Sequence, residues 1–328
     1  MNRRPLGRSG ISVSAIGLGC MGMSEFYGPS DDEESLKTLD AALEAGINFL
    51  DSSDMYGWGH NETLLGRFLK GRRDKVVLAT KFGVMRGPNG EWLGINGKPD
   101  YVRAACEASL KRLGVETIDI YYQHRVDPQT PIEDTVGAMK RLVEEGKVRA
   151  LGLSECAIST FERANKVHPI AAVQSEYSLW SREPEAGMLE AVRKTGASFV
   201  AYSPLGRAFL TGTVSAPDAL AATDFRRNNP RFQGAALETN KKLTDALAGI
   251  AEKKGVKPAQ LALAWLLNRN ADVIPIPGTR RIKYIHENAA ATDITLSAGE
   301  IADLDTLFQP EAVAGTRYPE AAMGALNR

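Results

Sequence analysis

The sequence of 328 residues predicts a (β/α)8 barrel, or TIM barrel, formed as a single domain over residues 1–328. Short apolar runs alternate with longer helical patterns, which is typical of a parallel sheet covered by helices. The runs are continuously apolar rather than alternating, as expected for strands that are buried on both faces. Eight such units in a chain of this length favour a closed barrel over an open sheet.

The predicted strands are short runs rich in β-branched and apolar residues. They cover Val13–Leu18, Ile47–Leu50, Lys75–Thr80, Ile118–Tyr122, Val148–Leu153, Ala171–Ser175, Ser198–Ala201 and Val273–Ile276. The predicted helices begin near capping residues and several end at a glycine. They run from Ser30–Asp32 to about Ala45 and then over Asn61–Leu69, Tyr101–Leu113, Pro131–Glu145, Ile158–Lys166, Pro184–Lys194, Asn240–Lys254, Pro258–Asn268 and Arg281–Ala291.

One connection, Gly206–Thr239, is far longer than the usual link between a strand and a helix. It is rich in Gly, Asn, Pro and Arg, and it follows the seventh predicted strand. A segment of this kind is either a functional lid or disordered, and its position favours a lid over the active face.

The composition excludes several function classes. Lys plus Arg and Asp plus Glu both number 40, so the charge gives no case for binding nucleic acid or an anionic membrane surface. No apolar run is long enough to span a bilayer, and the basic N-terminus lacks a signal-peptide pattern, so we expect a cytoplasmic protein. The three cysteines predict reduced thiols, and no residue cluster has metal-ligand spacing, so we expect no metal.

Three glycines, Gly17, Gly19 and Gly22, match the dinucleotide-binding pattern G-x-G-x-x-G. In that motif the last glycine opens a helix that binds the pyrophosphate. Here a loop follows Gly22 and the next predicted helix starts only near Asp31. The pattern therefore does not indicate a Rossmann fold.

Reactive residues of a barrel lie at the carboxyl ends of its strands. Asp51 ends the second predicted strand and Tyr56 lies in the loop behind it, while Lys81 and His124 end the next two strands. Any one of them could merely cap a helix or lie in a solvated loop. Together they predict a cluster of four ionisable side chains at one mouth of the barrel.

The segments around these residues resemble the catalytic tetrad of the aldo-keto reductases. Three further segments resemble others of that family, and the likeness extends from Pro5 to about Asn288. The matching segments are Asp51–Gly57, Ala79–Gly83, Tyr121–His124, Gly152–Glu155, Tyr202–Leu205 and Ile274–Arg280, followed by Glu287 and Asn288. The details are most similar to bacterial and plant reductases of small aldehydes.

This resemblance implies a mechanism in which NADPH reduces a carbonyl group and Tyr56 donates the proton. An isolated tyrosine is a poor acid at neutral pH, so Lys81 is expected to lower the pKa of Tyr56. Asp51 would hold Lys81 charged, and His124 would donate a hydrogen bond to the carbonyl oxygen. Tyr27 and Trp58 are further substrate-binding candidates.

The resemblance also implies a cofactor site for NADPH/NADP+. Tyr202 would stack on the nicotinamide, Ser154, Glu155 and Gln174 would bind its carboxamide, and Arg280 would bind the adenosine 2′-phosphate at a helix start. Glu155 departs from the asparagine that is common in the family. The remaining cofactor candidates are Met21, Gly22, Asp51, Ser203, Pro204, Leu205, Gly206, Gly278, Thr279, Glu287 and Asn288.

The substrate is expected to be a small, partly apolar aldehyde or ketone, with Gly315–Tyr318 in the tail able to close over it. Two other functions stay open at this point. One is an NADPH-binding, redox-sensing subunit with slow turnover, and the other is a non-redox barrel enzyme such as an isomerase or lyase. A monomer and a symmetric oligomer are both compatible with the sequence.

Overall fold

The computed structural model describes residues 1–214 and 216–327. Eight parallel strands form one sheet in which each strand pairs with its neighbours along the chain. They are β1 (Leu18–Gly19), β2 (Phe49–Asp51), β3 (Val77–Phe82), β4 (Ile118–Gln123), β5 (Val148–Ser154), β6 (Ile170–Glu176), β7 (Ser198–Tyr202) and β8 (Val273–Pro275).

The two edges of this sheet meet and close the barrel. The Gly17 N–H donates to the Pro275 carbonyl at 2.9 Å, and Gly19 forms a parallel bridge with Gly278. A Cβ atom on Gly17 would lie 2.7 Å from the Phe49 ring, so a side chain there would force the strands apart. The glycine pattern therefore allows close approach at the seam. The predicted (β/α)8 barrel is confirmed.

Helices surround the barrel and follow the predicted order. They are α1 (Asp32–Glu44), α2 (His60–Leu69), α3 (Pro99–Leu113), α4 (Ile132–Glu144), α5 (Ile158–Val167), α6 (Met188–Thr195), α7 (Gly234–Lys254), α8 (Pro258–Arg269), α9 (Ile282–Ala290), α10 (Ala298–Leu307) and the short α11 (Glu320–Met323). The sequence predicted neither α10 nor α11. Among the described helices, none combines the length and apolar character needed to cross a membrane.

Local chemistry explains the helix ends. The Asp31 side chain accepts from the Glu34 N–H and caps α1, as its predicted role required. Gly114, Gly196 and Gly255 end α3, α6 and α7 in the left-handed conformation. The predicted helix at Pro184–Lys194 is instead a 3-10 turn and then α6, because the backbone turns at Gly187 with φ 124°.

The first predicted strand, Val13–Leu18, is wrong in its extent. Ser12–Ser14 pairs antiparallel with Arg3–Pro5 in a hairpin, and only Leu18–Gly19 belongs to the barrel. The sequence from Val13 to Leu18 is mostly apolar because both the hairpin and the barrel strand are buried. Leu6, Ile11 and Val13 pack against the residues inside the barrel.

The long connection after β7 is a packed structure with several 3-10 turns rather than a disordered loop. Helix α7 begins at Gly234, six positions earlier than the predicted Asn240. Phe209 and Phe232 are buried and contact each other and Trp180, which fixes the segment on the barrel. Its residues also line the cavity described below, as expected for a lid.

Replacing Gly17 with alanine tests the seam. The new methyl group would contact Phe49 and Ile276, so we expect the free energy of unfolding to fall by about 1–3 kcal/mol. Gly137→Ala is the matched control, because a Cβ at this position of α4 has open space, and alanine favours a helix by up to ~1 kcal/mol. Urea unfolding measures both. A Gly17→Ala protein as stable as the wild type would contradict the packing of the seam.

Candidate active site

A cavity of about 820 Å³ opens at the carboxyl ends of the barrel strands. Its wall includes Asp51, Tyr56 and His124, and it extends to the residues that precede α9. The loops after β1 and β3, the segment after β7 and the C-terminal tail complete the wall. The cavity therefore joins the predicted catalytic cluster to the predicted phosphate site.

The centre of the cluster is an ion pair between Lys81 and Asp51. Lys81 is the penultimate residue of β3 and is fully buried, while Asp51 ends β2 and is 3% exposed. The Lys81 Nζ donates to Asp51 Oδ1 and, at 2.8 Å, to the Ser52 carbonyl. Gln174 at the end of β6 donates its amide to the other Asp51 oxygen at 2.8 Å. Three strands are thereby joined through one carboxylate.

Tyr56 lies directly against this ion pair. The Lys81 Nζ is 3.4 Å from the Tyr56 hydroxyl and 5.1 Å from the centre of its ring. The loop between β2 and α2 is held by hydrogen bonds from the Asp54 N–H to the Lys81 carbonyl and from the Asn61 N–H to the Tyr56 carbonyl. Tyr56 is 8% exposed, so only a small part of the phenol faces the cavity.

His124 completes the cluster from the end of β4. Its backbone N–H donates to the Phe82 carbonyl at 2.8 Å, and its ring meets the Tyr56 ring edge-on at 5.9 Å. Nδ1 lies 3.1 Å from the Ser53 hydroxyl. Burial, together with Arg125 and Lys81, lowers the pKa of His124 well below its usual value, so the imidazole is neutral at pH 7.

The net pKa shift of Tyr56 is opposite to the one expected from Lys81. Burial and then the Asp51 charge raise the pKa of Tyr56 well above its usual value. Burial also lowers the pKa of Lys81, although Asp51 opposes that shift. The Asp51 carboxylate neutralises the Lys81 charge, and desolvation then controls the phenol. Tyr56 therefore stays protonated at neutral pH.

Glu155, directly after β5, does not line the cavity and instead bonds to neighbouring residues. Its carboxylate accepts from the Glu176 N–H at 3.0 Å, the Tyr202 hydroxyl at 2.8 Å and both terminal nitrogens of Arg317 at 3.2 and 3.1 Å. The Tyr202 hydroxyl also lies 2.9 Å from that of Tyr318. The C-terminal tail is thus fixed beside the predicted nicotinamide site.

Comparison with known proteins shows the family to which the chain belongs. The sequence model of the Aldo/keto reductase family matches residues 15–309. The chain belongs to this family. It is 46% identical over 316 residues to aldo-keto reductase yakc of Schizosaccharomyces pombe, covering 95% of this chain and 93% of that protein. Arg317 and Tyr318 lie beyond the part that the family model matches.

Solved structures of this aldo/keto reductase family share the fold. Glycerol dehydrogenase AKR11B4 from Gluconobacter oxydans has a TM-score of 0.85 at 29% identity, covering 94% of this chain and 96% of that chain. An aldo/keto reductase from Klebsiella pneumoniae, solved with NADP and acetate, has a TM-score of 0.75 at 28% identity, covering 97% and 99%.

The barrel of this aldo/keto reductase brings most predicted cofactor residues to the cavity wall. Those on the wall are Met21, Gly22, Asp51, Ser154, Gln174, Tyr202, Ser203, Pro204, Leu205, Gly278, Thr279 and Arg280, and Tyr27 is there as a predicted substrate contact. Other predicted residues are not part of the wall: Trp58, Glu155, Gly206, Glu287 and Asn288. Arg281 and Tyr284 line it near Arg280 and were not predicted.

Arg280 is oriented by the loop after β1. Its guanidinium donates to the carbonyls of Tyr27 at 3.0 Å, Gly28 at 3.3 Å and Pro29. It has no carboxylate partner within the described residues, and neighbouring Arg281 lies 3.6 Å from Glu34. The entrance to α9 is therefore strongly positive.

Sequence reasoning also missed Arg125, which directly follows His124 and lines the cavity. The available signal was its position one residue beyond a strand-end histidine. An arginine in a loop is most often solvated, so the sequence alone gave no reason to select it.

Removing the Arg317 side chain tests the link to the tail. In Arg317→Met the buried Glu155 carboxylate loses its only ion-pair partner among the described residues, and we expect a loss of about 3–5 kcal/mol of stability. Arg163→Met removes an arginine that pairs with Glu133 on the exposed surface, and its effect should be far smaller. Urea denaturation compares the two. Equal losses would show that the Glu155 pair does not hold the tail.

Proposed function

We propose that the protein is an NADPH-dependent aldo-keto reductase that reduces a small aldehyde or ketone. The observation that carries this proposal is the Tyr56 hydroxyl beside Lys81 on the wall of the cavity. The cavity continues to a helix start with two arginines, as a dinucleotide with a phosphate at its far end requires. A redox-sensing subunit would not need this donor geometry.

The residues present fit NADPH in shape and charge. Gly19, Gly22 and Gly278 line the cavity, so the backbone is exposed there without side chains to fill the space. Arg280 and Arg281 supply positive charge at the start of α9 for a phosphate. The name of the Schizosaccharomyces pombe relative specifies NADP(+), and the Klebsiella pneumoniae structure contains NADP.

When bound, NADPH supplies the hydride for the carbonyl carbon. The residues of the chain then complete the reduction. Tyr56 donates its phenolic proton to the carbonyl oxygen as negative charge develops there. Lys81 stabilises the resulting phenolate at 3.4 Å, and Asp51 keeps the lysine charged and in place. The raised pKa keeps Tyr56 protonated at neutral pH, so its proton is available for reduction.

His124 would orient the carbonyl group through a hydrogen bond from its neutral ring. The Ser53 hydroxyl lies 3.1 Å from His124 Nδ1, and it also lies 3.3 Å from Asp54 Oδ1 and 3.4 Å from the Lys81 carbonyl. Donation from Ser53 to Nδ1 would place the ring proton on Nε2, the nitrogen that can donate to a substrate. A neutral donor of this kind stabilises the oxygen without competing with Tyr56 for the proton transfer.

Tyr56→Phe tests the proton donor. Phenylalanine keeps the ring but removes the proton, so we expect kcat to fall by about 10²–10⁴-fold with NADPH affinity almost unchanged. Tyr101→Phe is the control, because this tyrosine lies on α3 outside the cavity wall. NADPH absorbance with a panel of aldehydes and diketones measures turnover. Near wild-type turnover of Tyr56→Phe would contradict the assignment.

Arg280→Ala tests the cofactor. Loss of a charge-assisted contact to the 2′-phosphate should raise KM for NADPH by about 10–100-fold while changing KM for NADH little. Lys283→Ala removes a positive charge from the first turn of α9, three residues after Arg280 and away from the cavity wall, and it should leave both KM values close to wild type. Equal effects of Arg280→Ala on the two cofactors would refute the phosphate assignment.

A further inference from the structure

Arg125 is held at the reactive end of the cavity by its neighbours. Its Nη1 donates to the His124 carbonyl at 2.7 Å and lies 3.4 Å from the Ser154 hydroxyl. The side chain is half-buried and shares the cavity wall with Tyr56, His124 and Ser154. One nitrogen therefore anchors the guanidinium, and the other two remain for further contacts.

Three other arginines along this wall have carboxylate partners. Arg86 pairs with Glu25 at 2.7 Å, Arg207 with Glu176 at 2.9 Å and Arg226 with Asp224 at 2.6 Å. Arg280 and Arg281 stand at the entrance to α9, where the cofactor proposal uses them. Arg125 alone faces the reactive end without a carboxylate within ion-pair distance among the described residues.

The carboxylates closest to that end are already neutralised. Asp51 pairs with Lys81, and Glu155 pairs with Arg317. Arg125 Nε and Nη2 have no hydrogen-bond acceptor within residues 1–214 and 216–327. A guanidinium that is partly withdrawn from water, always charged and only partly bonded favours an incoming anion.

We propose that Arg125 binds a carboxylate of the substrate, so that the preferred substrates are aldehydes or ketones that also carry a carboxylate group. This inference rests on the proposed function. A planar guanidinium recognises a carboxylate with two parallel hydrogen bonds, and Arg125 Nε and Nη2 form the required pair of donors. The reaction is unchanged: the carbonyl carbon gains hydride, its oxygen gains the Tyr56 proton, and the carboxylate is only held.

Substrate pairs that differ in one charge provide the test. The 2-, 3- and 4-carboxybenzaldehydes are compared with their methyl esters at saturating NADPH, and kcat/KM is measured for each. In the wild type we expect at least one acid to exceed its ester by about tenfold or more, the ratio for one charge-assisted contact. In Arg125→Met, kcat/KM for the acid should fall by a factor at least about ten times larger than the fall in kcat/KM for its ester.

Two further variants separate recognition from net charge and from folding. Arg86→Met removes the same charge from the cavity wall, so a purely electrostatic effect would lower the acid-to-ester ratio as much as Arg125→Met does. Our proposal predicts a much smaller change for Arg86→Met. Arg125→Lys keeps the charge without the planar guanidinium and should retain only part of the preference for the acid over its ester. It also serves as the test if the methionine variant does not fold.

The outcomes are distinct. A preference for the acid that depends on Arg125 supports the proposal. Equal losses for acid and ester in Arg125→Met overturn it, because they would make Arg125 a support for His124 rather than a substrate contact. Turnover of neutral aldehydes with no acid preference in the wild type overturns the carboxylate assignment alone. No turnover of any aldehyde overturns the proposed function and this inference with it.

Discussion

The buried ion pair between Lys81 and Asp51 determines the arrangement of the active face. Two opposite charges withdrawn from water are tolerated only when their remaining hydrogen bonds are satisfied. Here the Lys81 ammonium also donates a hydrogen bond to the Ser52 carbonyl, and the Gln174 amide donates one to the second oxygen of the Asp51 carboxylate. The pair thereby joins the ends of β2, β3 and β6, and it places a cation within 3.4 Å of the Tyr56 hydroxyl. Closure of the barrel is what brings these three strands together.

The same burial sets the protonation states of the neighbours. It raises the pKa of Tyr56 and lowers the pKa of His124, so the pair faces the cavity as two neutral groups. A carbonyl oxygen that gains negative charge would meet one proton donor and one hydrogen-bond donor. Lys81, 3.4 Å from the hydroxyl, stabilises the phenolate that proton transfer leaves. The structure differs from the sequence-based expectation in the net shift, because burial and the Asp51 charge raise the pKa of Tyr56.

The sequence predicted the barrel and the four clustered residues because both follow from local patterns. Strands of a parallel barrel end at one rim, so residues at strand ends must meet there. Val13–Leu18 was misjudged because a hairpin at the amino end of the barrel and a barrel strand are equally apolar. The start of α7 was misjudged, and the internal order of the long segment before it could not be predicted, because that order depends on Phe209 and Phe232 packing against distant Trp180.

Contacts between distant parts of the chain escaped prediction for a physical reason. Glu155 and Arg317 are separated by 162 positions, and nothing in either local segment indicates their ion pair. The role of Arg125 depends on which neighbouring arginines already have carboxylates, which only the folded chain shows. The positive backbone angle of Glu155, with φ 51°, likewise reflects its tertiary contacts rather than its sequence.

The pH dependence of aldehyde reduction tests the central claim most directly. With Tyr56 protonated and His124 neutral, kcat/KM for a neutral aldehyde at saturating NADPH should stay constant between about pH 6 and 9, since neither group titrates there. An inflection near His124's ordinary pKa of ~6.5 would show a solvated imidazole. An alkaline fall within that range, absent in Tyr56→Phe, would show an acidified phenol and contradict the account.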